Sequence, residues 1–307
     1  MRAFFQSQWK QIRVSRYWLL LLLPGIAYYI IFHYVPMYGV IIAFKDYNPY
    51  DGIAGSPWAA NYGLQHFRTL FTSPTFLNVF KNTLLLSLSA IVFSFPAPIL
   101  LALAINEVRS GPFRRVVQTV SYLPHFISTA VICGMVFNFL SLNGLINQIV
   151  AFFGGTKTQF MLYPEYFRTI YVSTDIWQKM GWNSIIYLAT LTAVDTSLYE
   201  AADIDGAGRL QKIWYINIPC LIPTAIILLI FNVGGIMTAG FEKVLLLYNP
   251  NNYATSDIIG TYVYRLGIQN AQYSFSTAAG LFQSVINFVL VVLTNKLASR
   301  FNDTSLW

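Results

Sequence analysis

Side chains that commonly carry out enzymatic chemistry are few in this sequence and lie far apart. The three histidines, His33, His66 and His125, are widely separated along the chain. A lone histidine beside apolar residues is more often a hydrogen-bonded structural residue than a ligand. The two cysteines, Cys133 and Cys220, lie in or beside apolar runs, which predicts buried thiols rather than a disulfide. We therefore expect no catalytic residue and no metal site.

Motifs for nucleotide and hydrolase chemistry are also absent from the sequence. The chain has no G-x-x-x-x-G-K-[ST] loop to cradle the phosphates of a nucleotide, and no H-E-x-x-H, G-x-S-x-G or C-x-x-C motif. Any energy from ATP would therefore have to come from another protein.

Polar and aromatic side chains within long apolar segments could bind a neutral sugar through hydrogen bonds and ring stacking. The candidates are Asn138, Trp182, Asn183, Asn232, Gln283 and Asn287. Gln283 and Asn287 lie four residues apart, which predicts that they share one helix face. The same groups could instead form hydrogen bonds between packed helices, so the residues alone leave both roles open.

One hydrophilic loop, residues 195–219, concentrates charge between two apolar segments. Asp195 or either of the next two residues can cap a short helix, and Gly206 allows the chain to break after it. Ala201 and Ala202 keep the helix surface small, which suits docking into a groove on another protein. An ordinary solvated loop is the competing interpretation.

The elements that would position these residues are apolar helices. Of the 307 residues, 56% are hydrophobic and 10% are charged, and the mean hydropathy is +0.53. Soluble proteins carry about 25% charged residues, so this chain lacks the polar surface of a soluble protein. We predict an all-α integral membrane protein. The net charge of +7 is explained by membrane topology, and we expect no nucleic-acid partner.

Uncharged windows predict six transmembrane helices, because about 20 mainly apolar residues span a bilayer. The predicted spans lie in residues 17–44, 82–106, 116–140, 171–194, 213–241 and 266–295. Pro96 and Pro98 predict a kink in the second span. In the fourth and most polar span, Asp175 and Lys179 lie at i,i+4 and can form an ion pair.

Basic residues near the span ends predict the orientation of the chain. Four basic residues precede the first span and three lie between the second and third spans, and such residues favour the cytoplasmic side. We predict that both termini are cytoplasmic. The expected organisation is a cytoplasmic N-terminal segment of residues 1–16, a transmembrane domain of residues 17–298, and a cytoplasmic tail of residues 299–307.

The loop 195–219 resembles the EAA loop of permease subunits of binding-protein-dependent ABC importers. That pattern is E-A-A, three residues, G, nine residues, then I-x-L-P. The matching positions are Glu200, Ala201, Ala202, Gly206, Ile216 and Pro219, with Ile218 where leucine is usual. Further segments resemble the LplB-type branch of sugar and polysaccharide permeases, which is related to the maltose importer. These segments are residues 36–39, 43–49, 55–58, 122–128 and 305–307.

The resemblance implies a type I ABC importer permease fold with a cytoplasmic coupling helix, in the bacterial inner (cytoplasmic) membrane. It implies a second homologous permease and two ATPase subunits that bind ATP and Mg, with no cofactor on this chain. An extracytoplasmic solute-binding protein would deliver an oligosaccharide or polysaccharide. The residues expected to dock on the ATPase are Glu200, Ala201, Ala202, Asp203, Gly206, Ala207, Arg209, Leu210, Ile216 and Pro219.

Two other classes remain as alternatives. A self-contained secondary carrier would ordinarily show more spans or an inverted repeat. Proton relays use charged residues inside the membrane, and here the Asp175–Lys179 pair alone comes close, although sodium coupling stays open. An integral-membrane transferase would need clustered acids, histidines or metal ligands at a membrane face. The acids of the 195–219 loop are the sole cluster of that kind in the sequence.

Overall fold

The computed structural model describes residues 16–108, 111–238 and 240–301, and their secondary structure is helical. No strand forms within these ranges; one isolated bridge joins Lys45 and Trp58. The prediction of an all-α chain is therefore confirmed for them. The residues outside these ranges include most of the expected N-terminal segment and the tail beyond residue 301. They also include Arg109, one of the basic residues from which the orientation was predicted.

Seventeen α-helices are described. In chain order they are α1 Arg16–Tyr29, α2 Val35–Met37, α3 Gly52–Gly55, α4 Gln65–Thr72, α5 Pro74–Ser89, α6 Pro96–Glu107, α7 Pro112–Tyr122, α8 Thr129–Leu140, α9 Leu145–Phe152, α10 Pro164–Thr192, α11 Thr196–Ile204, α12 Arg209–Lys212, α13 Ile218–Gly234, α14 Phe241–Leu247, α15 Tyr253–Ser256, α16 Ile259–Tyr264 and α17 Tyr273–Phe301. The π-helical turns are Ile30–Tyr34, Ala90–Ser94, Ile213–Asn217 and Arg265–Gln269, and the 3-10 turns are Tyr38–Phe44, Leu123–Phe126 and Phe160–Leu162.

Five helical segments of the described residues are long and apolar enough to cross a membrane. They are Tyr17–Phe44, Pro74–Glu107, Thr129–Phe152, Arg209–Gly234 and Tyr273–Ser299. The predicted fourth span, residues 171–194, lies in α10 except for its last two residues. This helix has 29 residues and is long enough to cross a membrane at about 1.5 Å per residue. This helix is more polar than the five segments, because its buried face includes Asp175, Gln178 and Ser184.

The described residues form two compact units, one of residues 16–70 and 266–281 and one of residues 71–265 and 282–301. In the first unit, the segment after the first span is held by its own hydrogen bonds. Lys45 Nζ donates to the carbonyl oxygens of Ile53 at 2.7 Å and Ala54 at 3.1 Å. Asp46 pairs with His66 at 3.0 Å. This aromatic- and proline-rich segment is therefore structured.

The second unit has two clusters of buried apolar residues, and α10 contributes to both. Its first half supplies Phe167 and Tyr171 to one cluster, beside residues of α8 and α14. Its second half supplies Tyr187 and Leu188 to the other cluster, beside residues of α6 and α13. The most polar of the long helices therefore lies at the centre of this unit.

The second and third predicted spans differ in how proline interrupts the helix. In the second, a π turn at Ala90–Ser94 precedes α6, which begins at Pro96. The third was predicted as one helix over residues 116–140, and that was wrong: α7 ends at Tyr122 and α8 begins at Thr129. Pro124 lies in the break and has no N–H to continue the helix. Ser128 caps α8, its Oγ accepting a hydrogen bond from the Val131 N–H at 3.4 Å.

The last span begins later than the charge pattern predicted. The uncharged window starts at residue 266, but a π turn occupies Arg265–Gln269 and the long helix begins at Tyr273. Ala271 between them has a positive φ of 54°, which a continuing right-handed helix does not allow. The charge pattern therefore placed the start of this helix too early, and the helix runs past residue 295 to Phe301.

Candidate functional site

The loop 195–219 begins with a capped helix, α11. Asp195 Oδ1 accepts a hydrogen bond from the Ser197 N–H at 2.9 Å, so Asp195 is the N-cap among the three candidates that the sequence offered. This hydrogen bond lowers the pKa of the exposed Asp195 carboxyl below its ordinary value, because it stabilises the ionised form. The cap is therefore charged at neutral pH and complements the positive end of the helix dipole.

Gly206 ends the same helix with a Schellman motif. Its φ of +74° lies in the left-handed region, which glycine adopts without the strain of a Cβ atom. The Gly206 N–H donates to the Asp203 carbonyl at 3.1 Å and the Ala207 N–H to the Ala202 carbonyl at 2.8 Å, which is the pairing that defines this motif. The three residues between E-A-A and the glycine therefore form the last turn of the helix, which Gly206 terminates.

Side chains connect α11 to the start of the following span. The Tyr199 hydroxyl donates a hydrogen bond to Oδ1 of Asn217, a residue with no exposed surface. Asp203 forms an ion pair with Lys212 on α12. A displacement of α11 would therefore be transmitted to the π turn and to α13, which follow directly in the chain.

The predicted docking residues divide by exposure. Exposed are Glu200, Ala201, Asp203, Gly206, Arg209, Leu210 and Pro219, and half-buried are Ala202, Ala207 and Ile216. Ile204, which the sequence analysis did not select, is 87% exposed, and Leu210 is 73% exposed. Two apolar side chains this exposed within one charged loop are candidates for an interaction surface. An isoleucine within a charged loop was the signal that could have found Ile204.

A cavity of about 670 Å³ opens in the second unit, between α10, α13 and the π turn that precedes α6. Among the predicted pathway residues, Trp182, Asn183 and Asn232 line it. Ser87, Ser94 and Tyr171 also line it, and the sequence analysis did not select them. Their hydroxyl groups add hydrogen-bonding capacity to a wall that is mainly apolar.

Trp182 presents an aromatic face that a neighbouring histidine supports. The rings of His125 and Trp182 are parallel to within 3° with centroids 4.6 Å apart, and 41% of Trp182 is exposed. One residue earlier on α10, Gly181 allows close approach to α7: a Cβ atom there would lie 1.9 Å from the Ser121 carbonyl oxygen. The indole is therefore held by the packing of α10 against the broken helix α7–α8.

The other three predicted pathway residues do not line the cavity. Gln283 Nε2 donates to the carbonyl oxygen of Met237, and Asn287 Oδ1 accepts from the Met237 N–H at 3.1 Å. The two amides therefore share a face of α17, as predicted, and hold the turn after α13. Asn138 is exposed on α8, away from the cavity wall.

The cavity also contains the predicted ion pair. Lys179 Nζ lies 2.7 Å from Asp175 Oδ1, and both residues line the cavity. Ser94 Oγ is buried and has no hydrogen-bond partner within the described residues, although it faces the same space. No group of three histidine, cysteine or acidic residues that could hold a metal occurs in the part of the chain that the structure describes.

Taken together, these features define a helical membrane subunit that has an exposed, capped helix in its 195–219 loop and a cavity lined by aromatic, amide and hydroxyl groups. Residues 94–303 match the family of inner membrane components of binding-protein-dependent transport systems. The chain belongs to this family.

Named relatives are similar along nearly the whole length. The polygalacturonan/rhamnogalacturonan transport system permease YteP of Bacillus subtilis (strain 168) is 46% identical over 294 residues, covering 95% of this chain and 91% of that protein. Protein LplB of the same organism is 42% identical over 292 residues, covering 94% and 91%. A solved bacterial ABC transporter that imports the acidic polysaccharide alginate has a chain with a TM-score of 0.89 and 44% identity, covering 96% of this chain and 99% of that one.

The protein is therefore a permease subunit of an ABC importer in the cell membrane, and it is a transport subunit rather than an enzyme. In this family ATP is hydrolysed by separate ATPase subunits, and a second permease and a solute-binding protein complete the importer. The resemblance found in the EAA loop is confirmed, and the secondary-carrier and transferase alternatives are set aside.

Proposed function

We propose that this chain moves an oligosaccharide or polysaccharide across the membrane after an extracytoplasmic binding protein delivers it. The observation that supports this most is the similarity, over more than nine-tenths of the chain, to permeases named for polysaccharide transport. In one solved relative, the alginate importer is bound to a periplasmic protein that holds an alginate pentasaccharide. The aromatic and amide lining of the cavity suits the same class of ligand.

The membrane topology that we propose has six transmembrane helices and two cytoplasmic termini. Five spans are supported by length and hydropathy, and α10 supplies the sixth because it is long and central to the second unit. Its polar residues face the cavity and the protein interior, where membrane proteins accommodate them. Residues 1–16 and 299–307 then flank a transmembrane domain of residues 17–298.

The coupling site that we propose is α11 with its flanks. Its exposed residues, from Glu200 to Leu210, would seat in a cleft of an ATPase subunit, which binds ATP and Mg. Closure of the ATPase pair would push α11, and the Tyr199–Asn217 and Asp203–Lys212 contacts would pass the movement to α13. Because α13 lines the cavity, the same movement would change access to the substrate.

The substrate pathway that we propose is the cavity, with Trp182 as a stacking platform and with Asn183 and Asn232 as hydrogen-bonding groups. Trp182 is supported by its stack with His125. Asn232 Nδ2 already donates to the Leu228 carbonyl at 2.8 Å, which leaves its oxygen available as an acceptor for a sugar hydroxyl. Gln283 and Asn287 would then act indirectly, by shaping the turn next to the cavity.

The coupling role can be tested in liposomes that contain the complete importer in the membrane, with ATP inside and the binding protein outside. Glu200→Lys reverses an exposed charge on α11, so we expect a folded, assembled subunit that loses most ATP-driven saccharide uptake. Glu165→Lys makes the same reversal at the exposed start of α10 and should retain uptake. Unchanged uptake by the Glu200 variant would show that α11 does not couple the subunits.

A further inference from the structure

Two charged residues are present in the wall of the cavity, and both lie on one turn of α10. Asp175 and Lys179 pair at 2.7 Å, but their exposure differs: 9% of the Asp175 side chain is accessible against 51% of the Lys179 side chain. The carboxylate therefore lies in the wall while the ammonium extends into the open space. A ligand in the cavity would meet the positive member of the pair.

A second cation lies behind the wall. Lys243 is 5% exposed, its Nζ is 3.4 Å from the Tyr171 carbonyl oxygen, and it lies 5.1 Å from the centroid of the Tyr171 ring. Burial lowers the pKa of Lys243 to about 8, and Asp175 opposes that shift, so most of this group is protonated at pH 7. One carboxylate thus faces two ammonium groups, which leaves an uncompensated positive charge beside the cavity.

The face of α10 that carries Lys179 carries other ligand-binding chemistry as well. Trp182 and Asn183 follow at i+3 and i+4, positions that lie on the same side of a helix, and both line the cavity. An ammonium group has three donors, so pairing with Asp175 leaves donors that a ligand in the cavity can use. Helix α10 therefore presents a cation, an aromatic ring and an amide together. In that order, they match the carboxylate, the ring face and the hydroxyl groups of a uronic acid.

We propose that Lys179 binds a carboxylate of the transported saccharide, and that the substrate of this permease is an acidic oligosaccharide. This inference rests on the proposed function, because it places a saccharide in the cavity. Asp175 pairs with the same ammonium group, so it competes with the ligand for part of that charge. A neutral saccharide offers no opposite charge to the half-exposed ammonium group of Lys179, whereas a carboxylate forms a charge-assisted hydrogen bond with it.

The test uses the importer assembled from this chain, its second permease and both ATPase subunits in nanodiscs, without binding protein. Equilibrium binding is measured for a tetrasaccharide of galacturonate and for its fully methyl-esterified form, which keeps the rings and hydroxyl groups but has no charge. We expect the acid to bind more tightly than the ester. Lys179→Gln should weaken acid binding about tenfold or more, as the loss of a charge-assisted hydrogen bond implies, and leave the ester unaffected.

Three further variants make the result specific. Lys179→Arg keeps the positive charge and should keep the preference for the acid. Lys81→Gln removes an exposed lysine that lies outside the cavity wall and should change nothing. Asp175→Asn frees the ammonium group from its partner, so acid binding should hold or tighten. If the ion pair is purely structural, Asp175→Asn and Lys179→Gln should instead change the affinities for the acid and for the ester in the same way.

Several outcomes would overturn the inference. The first is that the wild type and Lys179→Gln bind the acid equally well. The second is that the wild type binds the acid and the ester equally well. The third is that Asp175→Asn loses the same affinity for both ligands. Should Lys179→Gln fail to assemble, acid binding by the wild type must still weaken as salt increases, and salt-insensitive binding contradicts it. ATP-driven uptake of a neutral oligosaccharide without preference for the acid also contradicts it, but leaves the proposed function intact. If no saccharide is taken up, the proposed function itself fails.

Discussion

Gly181 shows how one residue sets the contact between two helices of the second unit. The residue is buried on α10, and a Cβ atom there would lie 1.9 Å from the Ser121 carbonyl oxygen on α7. No side chain fits in that distance, so α10 and α7 can approach this closely because position 181 is glycine. The contact also supports Trp182, the next residue, whose ring faces the cavity.

We expect Gly181→Ala to destabilise the subunit by about 1–3 kcal/mol, as overpacking in a well-packed interior usually does. The matched control is Gly134→Ala on α8, where nothing lies within 4 Å of the added Cβ atom. Alanine favours a helix over glycine by up to about 1 kcal/mol, so the control should be neutral or slightly stabilising. Unfolding of the purified subunit in detergent measures both, and equal midpoints for the two variants would contradict the crossing geometry.

At the scale of the element, α11 is a helix of nine residues, too short to be stable by propensity alone. Its two caps and its two side-chain contacts to the following segment compensate for that length. Asp195 satisfies an N–H group at the start, and Gly206 allows the carbonyl groups at the end to be satisfied. The docking surface that we propose is therefore already formed in the isolated subunit.

Gly206→Ala should loosen the end of α11, because a left-handed conformation costs an L-residue about 1–2 kcal/mol. The amide of Ala207, which donates to the Ala202 carbonyl, should then exchange with solvent about fivefold to thirtyfold faster. Gly208→Ala is the control, because Gly208 has a φ of −73° that alanine adopts freely. Gly206→Ala should change both the hydrogen exchange of this amide and ATP-driven uptake. Gly208→Ala should change neither.

At the scale of the whole molecule, the number of spans depends on α10. If this helix crosses the membrane, the loop before it and α11 after it lie on opposite sides. If it does not cross, they lie on the same side. Hydropathy is a poor measure of whether α10 crosses the membrane, because the buried polar residues of this helix face the protein and not the lipid.

Cysteine labelling in intact cells decides between the two topologies. In a chain with Cys133 and Cys220 replaced, Lys157→Cys and Ile204→Cys each place one thiol at an exposed position. We expect a membrane-impermeant maleimide added outside to label position 157 at once, and position 204 after the cells are permeabilised. Labelling of both positions in intact cells would mean that α10 does not cross the membrane.

Particular residues show where sequence reasoning succeeded. The Asp195 cap, the Asp175–Lys179 pair and the shared face of Gln283 and Asn287 are all local, because each depends on neighbours within four residues along the chain. Helix geometry alone relates such positions. The division of the third span was missed, because Pro124 is compatible with a kinked membrane helix as well as with a break.

The sequence by itself determined that this is a helical membrane protein with a charged loop of the EAA pattern, since composition decides which solvent a chain can face and the EAA spacing is short enough to be local. It did not determine which polar residues share the cavity. Trp182, Asn232 and Ser94 come from three separate helical segments, and His125 reaches Trp182 across 57 residues of chain. The tertiary structure alone decided these proximities, because they depend on how the helices break and cross, and those angles follow from packing between segments distant in the sequence.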